Sequence, residues 1–316
     1  MSSSDNPQFE PQQPGIPESG VPESAATAPE APPAPEQPRI PIGFHPAADP
    51  SAAIFLPPAG PTPQKTPTLE NPPWTGWDVV VIACLAFATI FVSQFVILFG
   101  AHYFLYPHKT LAELAERPML LLIAQLVVDG AVALYLVLLV EGKYHVRFWP
   151  AIRWDWSKAG WKLLGLGAAM MLGLSLLENF LPLPKDTPFD KLFASPRDAY
   201  LVALFAVTLG PFVEELFFRG FLYPVLERRW GIAWAVFLTA LPFGLMHLPQ
   251  YGWAWGAGLI ILIVGIVCGV VRAVTRSVAA SFLVHVGYNG MQMIIAIWYT
   301  HGFTQMPKGL LGPWFH

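Results

Sequence analysis

The stretch DVVVIACLAFATIFVSQFVILFGAHYFL, residues 78–105, decides the fold of this chain. It contains no Lys or Arg and a single carboxylate, Asp78, at its first position. About 20 apolar residues in a helix are enough to cross the ~30 Å hydrocarbon core of a membrane. Only helices and closed β-barrels satisfy their own backbone polar groups in lipid, and this stretch is too long and too uniformly apolar for a barrel strand. Residues 78–105 are therefore predicted to form a membrane-spanning helix.

Apolar runs of similar length recur through the rest of the chain. Of the 316 residues, 54% are apolar and 12% are charged, whereas soluble domains carry about 25% charged residues. The sequence therefore predicts an all-α, polytopic helical transmembrane bundle of about seven spans. The predicted spans lie at about 78–105, 118–140, 161–181, 199–226, 231–249, 253–272 and 277–299.

The N-terminal residues 1–73 have a different composition. They hold 20 of the 33 prolines, and their apolar residues are too sparse to bury a core. Such a segment is expected to be a disordered, Pro-rich tail with partial polyproline II character. The predicted organisation is a tail at 1–73, a transmembrane helical bundle at 74–300 and a short C-terminal tail at 301–316.

The Lys and Arg residues of the short connections predict how the chain is oriented in the membrane. The loops near 145, 229 and 274 carry eight of these residues, against six in the loops of the other side. Because cytoplasmic loops are enriched in Lys and Arg, this bias places the N-terminus in the cytoplasm. The chain is expected to be an integral, multi-pass protein of the cell (plasma) membrane. A net charge of −3 gives no indication of a nucleic-acid partner.

Six polar residues interrupt the apolar segments of the C-terminal half. An ionisable side chain in hydrocarbon costs several kcal/mol, so each one is a functional hypothesis by default. At ~1.5 Å of rise per helical residue, the three segments place these residues at overlapping depths, which predicts a shared polar chamber. The six are Glu214, Glu215 and Arg219 in PFVEELFFRG (211–220), His247 in FGLMH (243–247), and His285 and Asn289 in HVGYN (285–289).

The residue types in this chamber allow the hydrolysis of an amide bond. Glu214 is the best candidate for a general base, because a desolvated carboxylate can take a proton from water as that water attacks a carbonyl. His247 would hold the same water or share the proton. The N–H groups of His285 and Asn289 suit the stabilisation of a developing oxyanion.

The same residues also allow metal-assisted chemistry. Two His and one Glu, here His247, His285 and Glu214, are a zinc-hydrolase ligand set that leaves one position for water. The local HExxH signature is absent. A metal-free glutamate mechanism and a mechanism assisted by a divalent metal such as zinc therefore both stay open. Glu215 and Arg219, at i and i+4 on one helix face, are interpreted as a supporting ion pair.

Three motifs, taken in their order along the chain, resemble the signature of the CPBP family. This family contains the CAAX-protease and bacteriocin-processing intramembrane proteases, and is also called the Abi family. Each motif alone is weak, but the ordered set, with one motif on each of three membrane helices, is specific. The motifs are EExxxR with FRG at its end (214–220), FxxxH (243–247) and HxxxN (285–289), and the likeness covers roughly residues 160–300.

The resemblance implies an intramembrane endopeptidase of the CAAX prenyl protease type. In this family pattern Glu214 and His247 activate water, and His285 with Asn289 holds the oxyanion. Members have been described as metalloproteases, and the prenyl-protein branch as glutamate-dependent. The implied partners are the lipid bilayer and a peptide or membrane-protein substrate, with lipidated substrates among the candidates.

Two other function classes stay open. The first is a non-proteolytic membrane scaffold or bacteriocin-immunity-type protein that keeps the fold. The second is a proton-coupled transporter, which would be expected to show an internal repeat that this sequence lacks. Asp129 and Glu178 are further polar residues of the second and third spans, and both are kept out of the predicted catalytic set.

Overall fold

A computed structural model describes residues 69–156, 160–184, 186–193 and 195–305 of the chain. Within these ranges the regular secondary structure is helical and contains no strand, which confirms the predicted all-α class. Most of the predicted Pro-rich tail, residues 1–68, lies outside the described residues. The same holds for residues 306–316 of the predicted C-terminal tail.

The α-helices are numbered in chain order, and several continue into other helical turns. π-helical turns extend α1 through Ala101–Leu105, extend α3 through Leu138–Lys143, and join α7 to α8 through Leu216–Leu222. Short 3-10 helices occur at Pro188–Phe193 and Leu248–Tyr251. The helices are α1 Gly76–Gly100, α2 Leu111–Ala115, α3 Pro118–Val137, α4 Phe148–Ala151, α5 Gly160–Glu178, α6 Pro196–Val207, α7 Leu209–Glu215, α8 Tyr223–His247, α9 Trp255–Thr275 and α10 Val278–Tyr299.

In the described part of the chain, six helical segments are long and apolar enough to cross a membrane. Their outward faces are apolar, and Phe87, Phe91 and Phe95 of α1 are each at least 60% exposed. Such a surface is unfavourable in water and is suited to lipid. The protein is therefore an integral membrane protein. The segments are Gly76–Leu105, Pro118–Lys143, Gly160–Glu178, Pro196–Tyr251, Trp255–Thr275 and Val278–Tyr299.

The fourth segment, Pro196–Tyr251, is 56 residues long and contains both the fourth and the fifth predicted spans. As a straight helix it would extend for roughly 84 Å, far more than one crossing needs. It is interrupted at Gly231, where φ is 80° and ψ is 174°. This conformation is accessible essentially to glycine alone, so Gly231 ends one helical run and starts the next.

The helices α5 and α10 approach each other closely through two glycines. A Cβ atom added to Gly167 of α5 would lie 2.0 Å from the Val284 carbonyl oxygen of α10. A Cβ atom added to Gly287 of α10 would lie 2.2 Å from the Leu164 carbonyl oxygen of α5. Small residues let helix backbones approach in this way inside membranes. The crossing fixes the position of α10, which carries two of the predicted site residues.

The segment that precedes α1 is held to the bundle by an ionic cluster, here called the Glu70 cluster. Arg272 of α9 donates from both Nη atoms to the two Glu70 carboxylate oxygens, each at 2.7 Å. The charged atoms of Arg153 and Arg276 both lie 3.4 Å from Glu70 Oε1. Arg276 also binds Glu227 of α8 at 2.8 Å. Residues 69–73, at the end of the predicted tail, therefore contact the bundle.

Arginine contacts set the charge state of Glu70. Burial raises the pKa of the Glu70 carboxyl, but the hydrogen bonds and the positive charge of Arg272 outweigh this effect. The charges of Arg153 and Arg276 act in the same direction. The pKa of Glu70 therefore lies below its ordinary value of 4.5, and the group is a carboxylate at neutral pH.

Candidate active site

The structure brings three of the predicted site residues into one cluster. Glu214 lies near the end of α7, His247 is the last residue of α8 and His285 lies in the first half of α10. Glu214 Oε1 is 3.6 Å from His247 Nε2, and Glu214 Oε2 is 3.7 Å from His285 Nε2. The two imidazole rings thus face the two oxygens of one carboxylate.

The break at Gly231 explains how Glu214 and His247 can meet. The two residues are 33 positions apart, so a straight helix would separate them by roughly 50 Å. Their side chains are instead 3.6 Å apart. The chain must therefore reverse between them, and Gly231 is the residue with non-helical backbone angles inside α8. The first and second motifs consequently lie on the two arms of a helical hairpin.

Hydrogen bonds at the other ring nitrogens orient both histidines. His247 Nδ1 lies 2.7 Å from the Phe243 carbonyl oxygen, which can only accept, so Nδ1 carries the proton. His285 Nδ1 lies 3.0 Å from Glu215 Oε1, a carboxylate oxygen that likewise accepts. In the neutral form of each ring, Nε2 therefore presents a lone pair toward Glu214. A hydrogen bond at one ring nitrogen commonly fixes the tautomer and the orientation of a reactive imidazole in this way.

The predicted supporting ion pair is present and fully buried. Arg219 Nη1 donates to Glu215 Oε1 at 2.9 Å, and both side chains are 0% exposed. Arg219 Nη2 donates to the Gly265 carbonyl oxygen at 2.8 Å. The Ser281 hydroxyl donates to Glu215 Oε2, and the His285 ring binds Oε1. Glu215 is therefore saturated with donors, and its role is to hold Arg219, Ser281 and His285 in place.

Asn289 lies one helical turn after His285, but its amide is partly committed elsewhere. Asn289 Nδ2 donates to the Ala206 carbonyl oxygen at 2.7 Å. Ala206 belongs to the last turn of α6, where carbonyl groups lack helical partners. The second N–H of the Asn289 amide is not used by this bond. The oxyanion role of His285 and Asn289 stays a prediction.

The cluster opens into a cavity of about 430 Å³. Glu214, His247, His285 and Asn289 all line this cavity, together with apolar side chains of α3, α6 and α9. A carboxylate in such a cavity can keep a bound water away from bulk solvent. The polar lining residues that were not predicted as site residues are Gln94, Gln125, Glu178, Thr187, Gln250, Tyr251, Tyr288 and Gln292.

Two of these missed residues carried a signal in the sequence. Tyr288 and Gln292 follow His285 by three and seven positions, which places them on the His285 face of α10. Glu178 gave no such signal, because its position at the end of α5 is equally consistent with contact to the membrane surface. Its place in the cavity wall depends on how α5 packs against the other helices.

The donor atoms around Glu214 suit a shared water molecule better than a divalent metal in this arrangement, because the ligand atoms of Glu214, His247 and His285 do not all lie within 4.8 Å of one another. The separations of 3.6 and 3.7 Å are too long for hydrogen bonds but suit a shared ligand between the groups. The two His Nε2 lone pairs and a carboxylate oxygen are the atoms that zinc binds. Glu214, His247 and His285 stay the predicted metal ligands, and their side chains would have to move closer together to bind one ion.

A second group of metal-binding residue types lies deeper. Within the described residues, Glu215, Cys268 and His285 form the one three-residue group whose ligand atoms lie within 4.8 Å of one another. The Glu215 oxygens already accept bonds from Arg219, Ser281 and His285. This group is therefore a completed hydrogen-bond network and a poor metal site.

One family of known proteins matches part of the chain. Residues 196–291 match the family model of the type II CAAX prenyl endopeptidase Rce1-like proteins. The match begins at the first residue of α6, ends within α10 and includes the four predicted catalytic residues. It confirms the resemblance to the CPBP and CAAX protease family for this part of the chain. No curated protein and no solved structure matches the sequence.

Proposed function

We propose that this protein is an intramembrane endopeptidase of the CAAX prenyl protease type. The coarser assignment, a membrane protease, is supported by the family match at residues 196–291 and by the six membrane-crossing segments. The observation that carries the finer proposal is the position of Glu214. Its two carboxylate oxygens face two histidine Nε2 atoms at the wall of a cavity large enough for a peptide side chain and water.

In the proposed reaction a water molecule lies between Glu214 and the histidines. Glu214 accepts a proton from this water while the water oxygen bonds to the carbonyl carbon of the scissile amide. His247 Nε2 orients the same water. Glu214 then returns the proton to the leaving nitrogen as the C–N bond breaks, which releases an amine and a carboxylic acid. The atoms and charges balance over the two steps.

The negative charge that develops on the carbonyl oxygen requires donors. Asn289 keeps one N–H free after its bond to Ala206. His285 already donates from Nδ1 to Glu215, so its Nε2 can donate to an oxyanion only in the imidazolium form. Each such donor contributes about 3 kcal/mol in a dry site.

Metal-assisted catalysis would use the same three residues in a closer arrangement than they have here. A divalent metal such as zinc, held by Glu214, His247 and His285, would supply a bound water of lowered pKa. The roles of the protein residues around it are then to hold the ligands: Phe243 and Glu215 orient the two imidazoles. Both mechanisms require Glu214, and they differ in their response to a chelator.

The test is peptide cleavage by the purified protein in lipid nanodiscs. A library of prenylated and unprenylated peptides is incubated with the wild type, with Glu214→Gln and with Glu113→Gln, an exposed carboxylate of α2. Glu214→Gln is expected to reduce cleavage by at least 10²-fold, because a general base contributes about 10²–10⁴-fold. Glu113→Gln should retain full activity. Cleavage that survives Glu214→Gln, or no cleavage by the wild type, would contradict the proposal.

Repeating the assay with a chelator separates the two mechanisms. Activity that is lost with the chelator and restored by zinc supports a metal held by Glu214, His247 and His285. Activity that is unchanged supports metal-free glutamate catalysis. A wild type that cleaves nothing but moves protons or a solute across vesicles would instead favour the transporter class.

We further propose that the protein lies in the cell (plasma) membrane with its N-terminus in the cytoplasm. The support is the positive charge of the Glu70 cluster and of Arg228, which binds the carbonyl oxygens of Pro72 and Trp74. Lys and Arg concentrate on cytoplasmic surfaces. Labelling of single cysteines introduced near positions 145 and 109 in intact cells tests this orientation, and labelling at 145 by an impermeant reagent would contradict it.

A further inference from the structure

The catalytic cavity contains a second carboxylate at a distance from the proposed chemistry. Glu178, the last residue of α5, lines the same cavity as Glu214. Gln250, Tyr251 and Tyr288 also line it, and both tyrosines lie within electrostatic range of Glu178. The proposed mechanism uses none of these groups, so they are free to contact the substrate.

The Glu178 carboxylate has no hydrogen-bond or ion-pair partner among the described residues. Apart from bonds within α5, its backbone carbonyl accepts from the Leu181 N–H at 3.1 Å. A half-buried carboxylate without a partner is unfavourable, because burial weakens its hydration and nothing replaces it. The Glu215 carboxylate differs from that of Glu178, because it binds three donors.

The other carboxylate that lines the cavity, Glu214, has the same sign of charge as Glu178. Glu214 and Glu178 are both acidic, and no Lys or Arg lines the cavity among the described residues. A cavity with apolar walls concentrates the field of its charged groups, so it attracts cations and repels anions. Tyrosine rings add to this, because the face of an aromatic ring attracts an ammonium or guanidinium group.

We infer that Glu178, with Tyr251 and Tyr288, forms a subsite that binds a basic side chain of the peptide substrate. The inference rests on the proposed protease function and names the substrate class that this cavity prefers. An ammonium or guanidinium group would donate to the Glu178 carboxylate and complete its missing hydrogen bonds. A substrate with an acidic side chain at the same position would be rejected by like charge.

The test compares blocked apolar peptides that differ only in charge at one position. Each peptide is acetylated and amidated, and Lys, Gln or Glu is placed at each position in turn. The wild type is expected to cleave the Lys peptide about tenfold faster in kcat/KM than the Gln peptide at one position. Glu178→Gln should remove this preference, and Glu178→Lys should shift it to the Glu peptide.

A matched variant controls for loss of charge outside the cavity. Glu116→Gln removes an exposed carboxylate that pairs with Lys191, beside the lining residue Leu192. It should leave the Lys preference unchanged. Absence of any Lys preference in the wild type, or its persistence in Glu178→Gln, would overturn the subsite while leaving the protease proposal intact.

Binding decides the inference even where no peptide is cleaved. Fluorescently labelled Lys and Gln peptides are titrated against Glu214→Gln and against Glu214→Gln/Glu178→Gln in nanodiscs. The subsite predicts that the Lys peptide binds the first variant about tenfold more tightly than the Gln peptide, and that the second variant does not distinguish them. Equal binding of both peptides to the first variant would refute it. Failure of cleavage alone would refute only the protease proposal.

Discussion

Two carboxylates of this protein, Glu70 and Glu214, lie among cationic or potentially cationic side chains, and only Glu70 is satisfied. Glu70 receives two hydrogen bonds of 2.7 Å from the guanidinium of Arg272, and Arg153 and Arg276 lie close by. Glu214 faces His247 and His285 at 3.6 and 3.7 Å, beyond hydrogen-bond length. Glu70 is buried, whereas Glu214 is half-buried at the wall of the cavity, and only Glu214 has space for a ligand.

This membrane protein separates structural from reactive carboxylates by the number of fixed donors that each one binds. A structural carboxylate is surrounded by fixed donors that leave no oxygen free, as in Glu70 and in Glu215 beside the site. A reactive carboxylate needs an oxygen that can accept a proton from a ligand. Glu214 and Glu215 are adjacent on one helix, but their side chains point in directions about 100° apart. Glu215 therefore reaches fixed donors, whereas Glu214 keeps an oxygen free for a ligand.

The largest expected effect on stability comes from breaking the saturated network at the site. Arg219→Met leaves the Glu215 charge buried without its guanidinium partner, which should cost about 3–5 kcal/mol of folding free energy. Glu214→Gln should change stability little, because Glu214 binds no fixed donor. Thermal unfolding in detergent, followed by loss of the monodisperse peak, measures both. If Glu214→Gln were as unstable as Arg219→Met, the distinction between the structural carboxylate Glu215 and the reactive carboxylate Glu214 would be wrong.

A smaller loss is expected from the Glu70 cluster. Glu70→Gln removes the negative charge and replaces one of the two oxygens that accept from Arg272 by an NH2 donor, which should destabilise the protein by about 2 kcal/mol. The contacts of Arg153 and Arg276 are partly exposed, which limits the effect. The matched control is Glu116→Gln, an exposed carboxylate that pairs with the exposed Lys191, for which little change in unfolding temperature is expected. A Glu70→Gln variant with wild-type stability would show that the cluster does not hold the bundle.

Lowering the pH should remove the contribution of Glu70 to the stability of the folded protein. Its pKa is lowered in the folded protein from the ordinary value of 4.5, so the unfolded chain binds the proton more readily. The stabilisation is therefore present above pH 4.5 and is lost as the pH falls through the lower folded pKa. The difference in unfolding temperature between the wild type and Glu70→Gln should narrow below pH 4.5. A difference that widens on acidification would contradict the sign of this shift.

The smallest effect is expected from Arg272→Lys. A lysine keeps the charge but cannot bind both Glu70 oxygens and the Arg219 carbonyl oxygen at the same time, as Arg272 does. The loss of one or two hydrogen bonds should cost about 1 kcal/mol. Because the Arg219 carbonyl lies on the helix that carries Glu214, cleavage should be measured together with stability. If Arg272→Lys lost as much stability as Glu70→Gln, a positive charge at position 272 would be insufficient to hold the cluster without the hydrogen bonds of the guanidinium.

Much of the site was predictable because the membrane makes polar residues conspicuous. Glu214, His247 and His285 stood out in apolar segments, and the structure brings them together. The ion pair of Glu215 and Arg219 followed from its i,i+4 spacing. The roles of these residues in catalysis stay predictions, which the cleavage assay tests.

Other features could not be read from spacing. Glu70 lies in the last part of the predicted tail, and its partners Arg272 and Arg276 are about 200 residues away. Glu178 sits at a helix end whose direction depends on the crossing of α5 and α10. The hydrogen bond from Asn289 to the Ala206 carbonyl oxygen exists because α6 ends near α10. The residues of α6 and of α10 do not by themselves show that the two helices are neighbours.

The amino-acid sequence by itself determined the apolar helices, the family motifs and the identity of the polar residues in lipid, because each depends on local composition and helical period. The tertiary structure alone decided which carboxylate is saturated and which is open. That distinction depends on donors brought from distant helices, such as Arg272 for Glu70 and Ser281 for Glu215. Hydrogen bonding acts over about 3 Å, so it is set by how helices pack and not by their order in the chain.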